Sequence, residues 1–338
     1  MKISIPSILL ASAAGVTLAA PAWAQDSRFT WEGSLEFDAE KVYDSDDAAN
    51  EIHDVYPTIT FGARYRFTNV VSAFGALTIE PVLDATEDRE FDDVGLYFDE
   101  LGLTFDFDAL SISVGKLHPA FGVAWDAAPG YFGTTFGEDY ELSEQIGAMA
   151  DYDAGAAGVF SLAVFYADDT KLSESWGTNR GRNSSDDGGA GNTGELDNVA
   201  LQWAKEFGST TVTIGARMLS AGTGDPEDER GYAAAVSHDF GSGLSLLAEV
   251  AQFSNYGGGT DDATYATLGG AYTTGPWTYS AVYSQRDIDN ATKDTMSTVG
   301  LNYTFANGLD IGGALALFEE DEVQSKSVGL SVAFPLGG

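Results

Sequence analysis

The chain has 338 residues, no cysteine, 40 glycines and a formal charge of −36 at pH 7. Without thiols a disulfide framework and a thiolate metal site are excluded. With 16 Lys and Arg against 52 Asp and Glu, nucleic acid is excluded as a partner, because its recognition needs a basic footprint.

In an enclosed space the same charge balance draws cations, although acidity as a general solubility adaptation is an alternative. The N-terminus reads Met1-Lys2, an apolar run over 3–20, then Pro21 and Ala22-Trp23-Ala24 before Gln25. A charged start, an apolar middle and a small-x-small end form the pattern of a cleaved secretory signal. Residues 1–24 are therefore expected to be removed and 25–338 to form one domain. No later run reaches the ~18 apolar residues of a membrane helix, which leaves periplasm, exterior or outer membrane as destinations.

From residue 28 onward polar and apolar residues alternate with period two, over segments long enough to cross a bilayer as tilted strands of ~9–11 residues. The first, 28–43, places Phe29, Trp31, Gly33, Leu35, Phe37 and Ala39 on one face and Thr30, Glu32, Ser34, Glu36, Asp38 and Glu40 on the other. The second, 54–67, sets Ile59, Phe61, Ala63 and Tyr65 against Thr58, Thr60, Arg64 and Arg66. Strands over 70–83, 94–107 and 110–116 follow, with a turn at Asp108-Ala109. The alternation fails around Asp99 and Lys116.

The stretch 116–145 is different. It carries Phe121, Trp125, Tyr131, Phe132, Phe136 and Tyr140, and the acids Asp126, Glu138, Asp139, Glu141 and Glu144, with no Lys or Arg after Lys116. Long insertions of this kind in a compact domain are usually functional. Strands over 145–153 and 158–167 come next, then a Gly, Ser, Asn and Asp loop over 168–194 that reads as flexible and solvated. Beyond it the spacing predicts strands at 195–207, 210–219, 230–240, 243–254, 263–274, 276–286, 295–306, 308–319 and 324–334. Gly208-Ser209, Gly241-Ser242, Gly275 and Asn307-Gly308 supply the tight turns.

The count is about sixteen strands, with tight turns alternating strictly with longer acidic loops. That arrangement predicts an all-β transmembrane antiparallel barrel, because only closure satisfies every backbone donor and acceptor in lipid. The alternative, a large secreted β protein, would bury its apolar faces against each other and gives no reason for one-sided turns. Two aromatic girdles are expected: Phe67, Phe107, Phe207, Phe240, Trp277, Phe305 and Phe334 beside the turns or the C-terminus, and Tyr43, Tyr97, Tyr166, Tyr256 and Tyr283 near the loops.

With these strands, a signal segment and one bulky loop between strands five and six, the chain resembles the general porins of Gram-negative outer membranes. Pro119-Ala120-Phe121-Gly122 stands where the third long loop of that family carries a Pro-x-Phe-Gly-like element. The resemblance implies that the loop folds into the lumen as a constriction. It also implies a homotrimer of water-filled channels in contact with outer-membrane lipid and lipopolysaccharide, passing small hydrophilic solutes and ions. Two departures stand out. Phe334 is followed by Pro335-Leu336-Gly337-Gly338, where the family commonly ends on an aromatic residue, and bases are too few for the family's arginine cluster.

Strand parity predicts lumen-facing bases at Arg64, Arg66, Arg217 and Arg286, opposed by the loop acids Asp126, Glu138, Asp139, Glu141 and Glu144. Carboxylates around a pore select for cations. Each arginine could instead pair with a wall acid such as Glu32, Glu36 or Glu249, and the loop aromatics could pack the loop against the wall or form a track for sugars. No cofactor is expected. Loop-bound Ca²⁺, which takes about six to eight oxygens, is a further option without the spacing of a known loop. His53, His118 and His238 are the only histidines, and neither Gly-x-Ser-x-Gly nor His-Glu-x-x-His occurs, so no enzyme is expected. The reading is a passive porin with cation preference. A sugar- or anion-selective channel and a structural or adhesive barrel are the alternatives.

Overall fold

The computed structural model describes residues 28–337; the expected signal segment lies outside the described residues. The chain forms long strands β1 (Phe29–Ser45), β2 (His53–Arg66), β3 (Val71–Pro81), β4 (Val94–Phe107), β5 (Leu110–Leu117), β6 (Gln145–Asp153), β7 (Val159–Ala167) and β8 (Asn198–Phe207). It continues with β9 (Thr210–Leu219), β10 (Glu229–Asp239), β11 (Leu244–Ser254), β12 (Ala263–Thr274), β13 (Trp277–Ile288), β14 (Lys293–Thr304), β15 (Asp310–Glu320) and β16 (Val323–Gly337). Two further strands, Arg89–Glu90 and Trp176–Gly177, are two residues long and belong to loops. Two short helices, α1 (Ala124–Ala127) and α2 (Thr135–Glu138), lie between β5 and β6.

Each long strand pairs antiparallel with the next, and β16 returns to β1 in a register running from Glu32↔Gly337 to Ser45↔Ser325. The ring is closed, so each long strand has a paired neighbour on both sides. The last strand runs past Phe334 to Gly337, opposite Glu32, Gly33 and Ser34 of β1.

The period-two pattern gives this ring an apolar outside and a polar inside. Leu201, Ile214, Val250, Leu268, Val299 and Leu315 are exposed, whereas Thr213, Glu249, Thr267 and Thr298 on the intervening positions are buried. A soluble protein would reverse that arrangement, and a lipid-facing barrel requires it.

Phe67, Phe107, Phe207, Phe240, Trp277, Phe305 and Phe334 are all exposed beside the turns, and Tyr43 and Tyr283 toward the loops. Tyr97 and Tyr256 are not in the loop-side girdle. Tyr97 is buried and donates to Glu80, and Tyr256 packs against Phe253 and Tyr265 in the interior cluster.

The chain alternates between tight turns at one end and longer loops at the other, 46–52, 82–93, 118–144, 168–197, 220–228 and 255–262, but not strictly. At the loop end β13 and β14 are joined by 289–292 alone, and β15 and β16 by Asp321 and Glu322, both at positive φ (51° and 66°). That two-residue hairpin turn is usually reserved for Asn or Gly, which is why it was not legible.

The lapse of parity near Asp99 is a bulge: β3 pairs Ala76 with Glu100 and Leu77 with Phe98, leaving Asp99 as the extra residue. The loop 168–197 is built rather than loose. Its Trp176–Gly177 strand pairs with Gly95–Leu96 above the end of β5, and Asp168, Ser173, Ser175 and Asn192 are buried.

Candidate functional site

The residues 118–144 lie inside the barrel, because their contacts are with inward-facing side chains of the wall. Phe121 packs on Phe253 of β11 with ring centroids 5.8 Å apart, Tyr140 on Tyr265 of β12 at 5.0 Å, and Phe132 on Phe318 of β15 at 5.8 Å. Glycines on the inner wall form the seat. A Cβ added to Gly215, Gly269 or Gly329 would lie 3.3 Å from Phe121, 2.7 Å from Pro129 or 2.4 Å from the Tyr131 ring. Strand-interior glycines often mark this kind of close approach. The loop aromatics therefore pack the loop against the β9–β16 side of the wall.

Polar anchors complete the attachment. Glu249 of β11 accepts the backbone N–H groups of Val123 (2.6 Å) and Ala124 (3.1 Å) at the start of α1, and the Tyr140 hydroxyl (2.5 Å). Arg217 donates to Glu229 (2.8 Å) and to the Tyr140 carbonyl (2.6 Å), and its guanidinium lies over the rings of Phe121 and Phe253. Its side chain is only 4 % exposed, so it stands behind the loop rather than across a water-filled gap from it.

Arg286 likewise reaches Asp139 of the loop at 2.8 Å, together with Asp294 and Glu320 of the wall. Arg64, on the opposite side, donates to Ser72 (3.2 Å) near Phe74, and Arg66 ends β2 beside the tight turn. The four arginines do not form one cluster.

The five loop acids also part company. Glu144 is held by Lys116 (2.5 Å) and, through two contacts, by Arg180 of the loop 168–197. Arg180 stacks at 4.1 Å over Tyr97, and Lys116, fully buried, also reaches Asp168 at 3.0 Å. Glu141 shares the His118 imidazole with Asp99, at 3.4 and 3.1 Å. Burial alone would favour neutral His118, but the hydrogen bonds to Asp99 and Glu141 overcome it and hold its pKa up at about 10.

Asp126 and Glu138 have no cationic partner among the described residues. Burial pushes both carboxyls above the ordinary range, and neighbouring Glu141 adds to the rise.

On the far side, the loop tip nears the wall of β1 to β4, where the Tyr131 and Tyr56 hydroxyls lie 3.5 Å apart. That wall carries Glu36, Asp38, Glu40, Glu80, Asp99 and Glu100, of which the sequence offers Glu36 alone, and only as a possible partner for an arginine. The alternation in β1 already put Glu36, Asp38 and Glu40 on its polar face; the missing information was that this face borders the inner loop. Among the described residues no group of three or more His, Cys, Asp or Glu side chains is arranged to hold a metal ion.

A closed ring of long strands, apolar outside and polar inside, with a folded loop in its lumen, defines an outer-membrane channel barrel. A family model for Gram-negative porins matches residues 10–322, and the chain belongs to that family. No curated protein matches it in sequence.

Among solved structures it is similar to the outer membrane channel DcaP of Acinetobacter baumannii (TM-score 0.68, 10 % identity, 91 % of this chain and 97 % of that one). It is similar also to a substituted porin of Rh. blastica (TM-score 0.61, 17 % identity, 91 % and 100 %). An anion-selective porin from Comamonas acidovorans has the same fold (TM-score 0.59, 14 % identity, 91 % and 99 %).

Proposed function

We propose that the protein is a passive diffusion channel for small hydrophilic solutes with a preference for cations, acting as a homotrimer. The inner loop is its constriction, and Asp126, Glu138 and Glu141 are the loop's contribution to the lining. One observation carries the sign of the selectivity: Arg217 and Arg286, the two expected lumen bases that reach the loop, are already engaged by carboxylates. They neutralise acids of the wall and loop instead of offering charge to a solute. A carboxylate-bordered passage favours a cation and disfavours an anion.

The fold leaves that sign open, because an anion-selective porin shares it; selectivity lives in side chains grafted on the barrel. The trimer is supported by membership of the porin family, and the mass of the detergent-solubilised native protein tests it.

Planar-bilayer recording across a KCl gradient tests the channel. Large ohmic steps with a reversal potential of cation sign are expected. Absence of conductance, or a reversal of anion sign, refutes the reading, and block by micromolar sugar or phosphate replaces it with a substrate-selective channel.

A further inference from the structure

The carboxylates of the interior divide by whether a base already holds them. Asp54 is paired with Arg89, Asp99 and Glu141 with His118, Asp139 and Asp294 with Arg286, Glu144 with Lys116 and Arg180, and Glu229 with Arg217. Glu36, Asp38 and Glu40 of β1 are different. They stand at every second residue on the inner face of one strand, which spaces them by about 7 Å along it.

The register explains their isolation. Glu36 faces Thr58 and Ala333, Asp38 faces Tyr56 and Ser331, and Glu40 faces Asp54 and Gly329. Neither neighbouring strand offers a base at those levels, and the charges within electrostatic reach are further acids: Asp310 at Glu36, Glu80 at Asp38 and Asp54 at Glu40.

A second observation concerns burial. Glu36 is 7 % and Asp38 6 % exposed, yet neither has a hydrogen-bond or ion-pair partner among the described residues. Both are on the lumen face, and the Tyr131 tip of the inner loop comes within electrostatic reach of Asp38 and Glu40. Their carboxylate oxygens are not sealed from the lumen's water, and with only acids in reach they take their counter-charge, a cation or a proton, from it.

We infer that the β1 row of Glu36, Asp38 and Glu40, under the Tyr131 tip, is the specificity-determining element of the channel. Monovalent inorganic and small organic ammonium cations pass along it. This rests on the cation-selective reading above and moves the filter from the loop acids to the wall. Several adjacent weak sites in a line are also what rapid conduction needs, since each ion is attracted but not trapped.

The test compares reversal potentials of the native channel in KCl gradients with those of two variants, Glu36→Gln/Asp38→Asn/Glu40→Gln and Asp126→Asn/Glu138→Gln. The expected result is a fall of about fivefold or more in the K⁺ to Cl⁻ permeability ratio for the β1 variant, and of less than about twofold for the loop variant. Open-channel steps report a folded barrel, and Asp38→Asn alone serves the comparison should the triple variant not insert. A native preference that survives the β1 substitutions, or that the loop substitutions abolish instead, overturns this inference alone. A native channel without cation preference overturns both it and the functional reading.

Discussion

The ring of Tyr131 lies on the bare α-carbon of Gly329, so close that a Cβ built there would come within 2.4 Å of it. Pro129 is seated on Gly269 in the same way, at 2.7 Å. Overpacking such contacts costs about 1–3 kcal/mol, which the loop can avoid by lifting from the wall. Gly329→Val and Gly269→Val are therefore expected to alter single-channel conductance while leaving the barrel folded. Conductance equal to the native value in both variants would show that these glycines do not set the loop position.

Glu249 takes three hydrogen bonds from the inner loop. In Glu249→Ala the N–H groups of Val123 and Ala124 lose their acceptor, at about 1–3 kcal/mol for each buried group left unpaired. The barrel ladder is untouched, so the loss is local. Limited proteolysis of the purified channel is expected to cut within 118–144 in this variant and not in the native protein, with added current noise in bilayers. A variant as resistant and as quiet as the native channel counts against the anchor.

The strand ring was legible because a period of two with polar turns has few other solutions in a chain of this length, and the girdle residues Phe107, Phe207 and Phe240 followed from it. Pairing inside the lumen was not. Parity places Arg217 and Arg286 on the inner face, but only the folded loop decides that Asp139 meets Arg286, while Arg217 meets Glu229 and the Tyr140 carbonyl. Arg180 was hidden for a related reason. Its loop is rich in Gly, Ser and Asn and looks solvated, and its order comes from side-chain hydrogen bonds such as those between Asn183 and Asn192, which leave no periodic trace.

Lys116 is fully buried between Glu144 and Asp168. Removing one partner of a buried ion pair leaves an uncompensated charge and costs about 3–5 kcal/mol. Lys116→Met is expected to lower the unfolding temperature in detergent, and Lys116→Met/Asp168→Asn to recover part of the loss, because the second change removes one of the stranded carboxylates. Arg180, which keeps its hold on Glu144, limits the effect. An unchanged unfolding temperature in the single variant would mean that the pair contributes nothing net.

His118 joins the first residues of the inner loop to Asp99 at the β4 bulge and to Glu141 near the loop's return. Its pKa is held up at about 10 in the folded protein, against about 6.5 for a free imidazole. The folded state therefore binds the proton more tightly than the unfolded one, and the stabilisation is complete below about pH 6.5 and disappears as pH rises through about 10. Between those limits the clamp weakens as the imidazole loses its charge. The loop root should become easier to cleave, and the open channel noisier, as pH is raised from 7 to 10. His118→Gln, which cannot carry the charge, should behave alike at both ends of that range. Identical pH responses in the native and His118→Gln channels would show that this imidazole does not hold the loop.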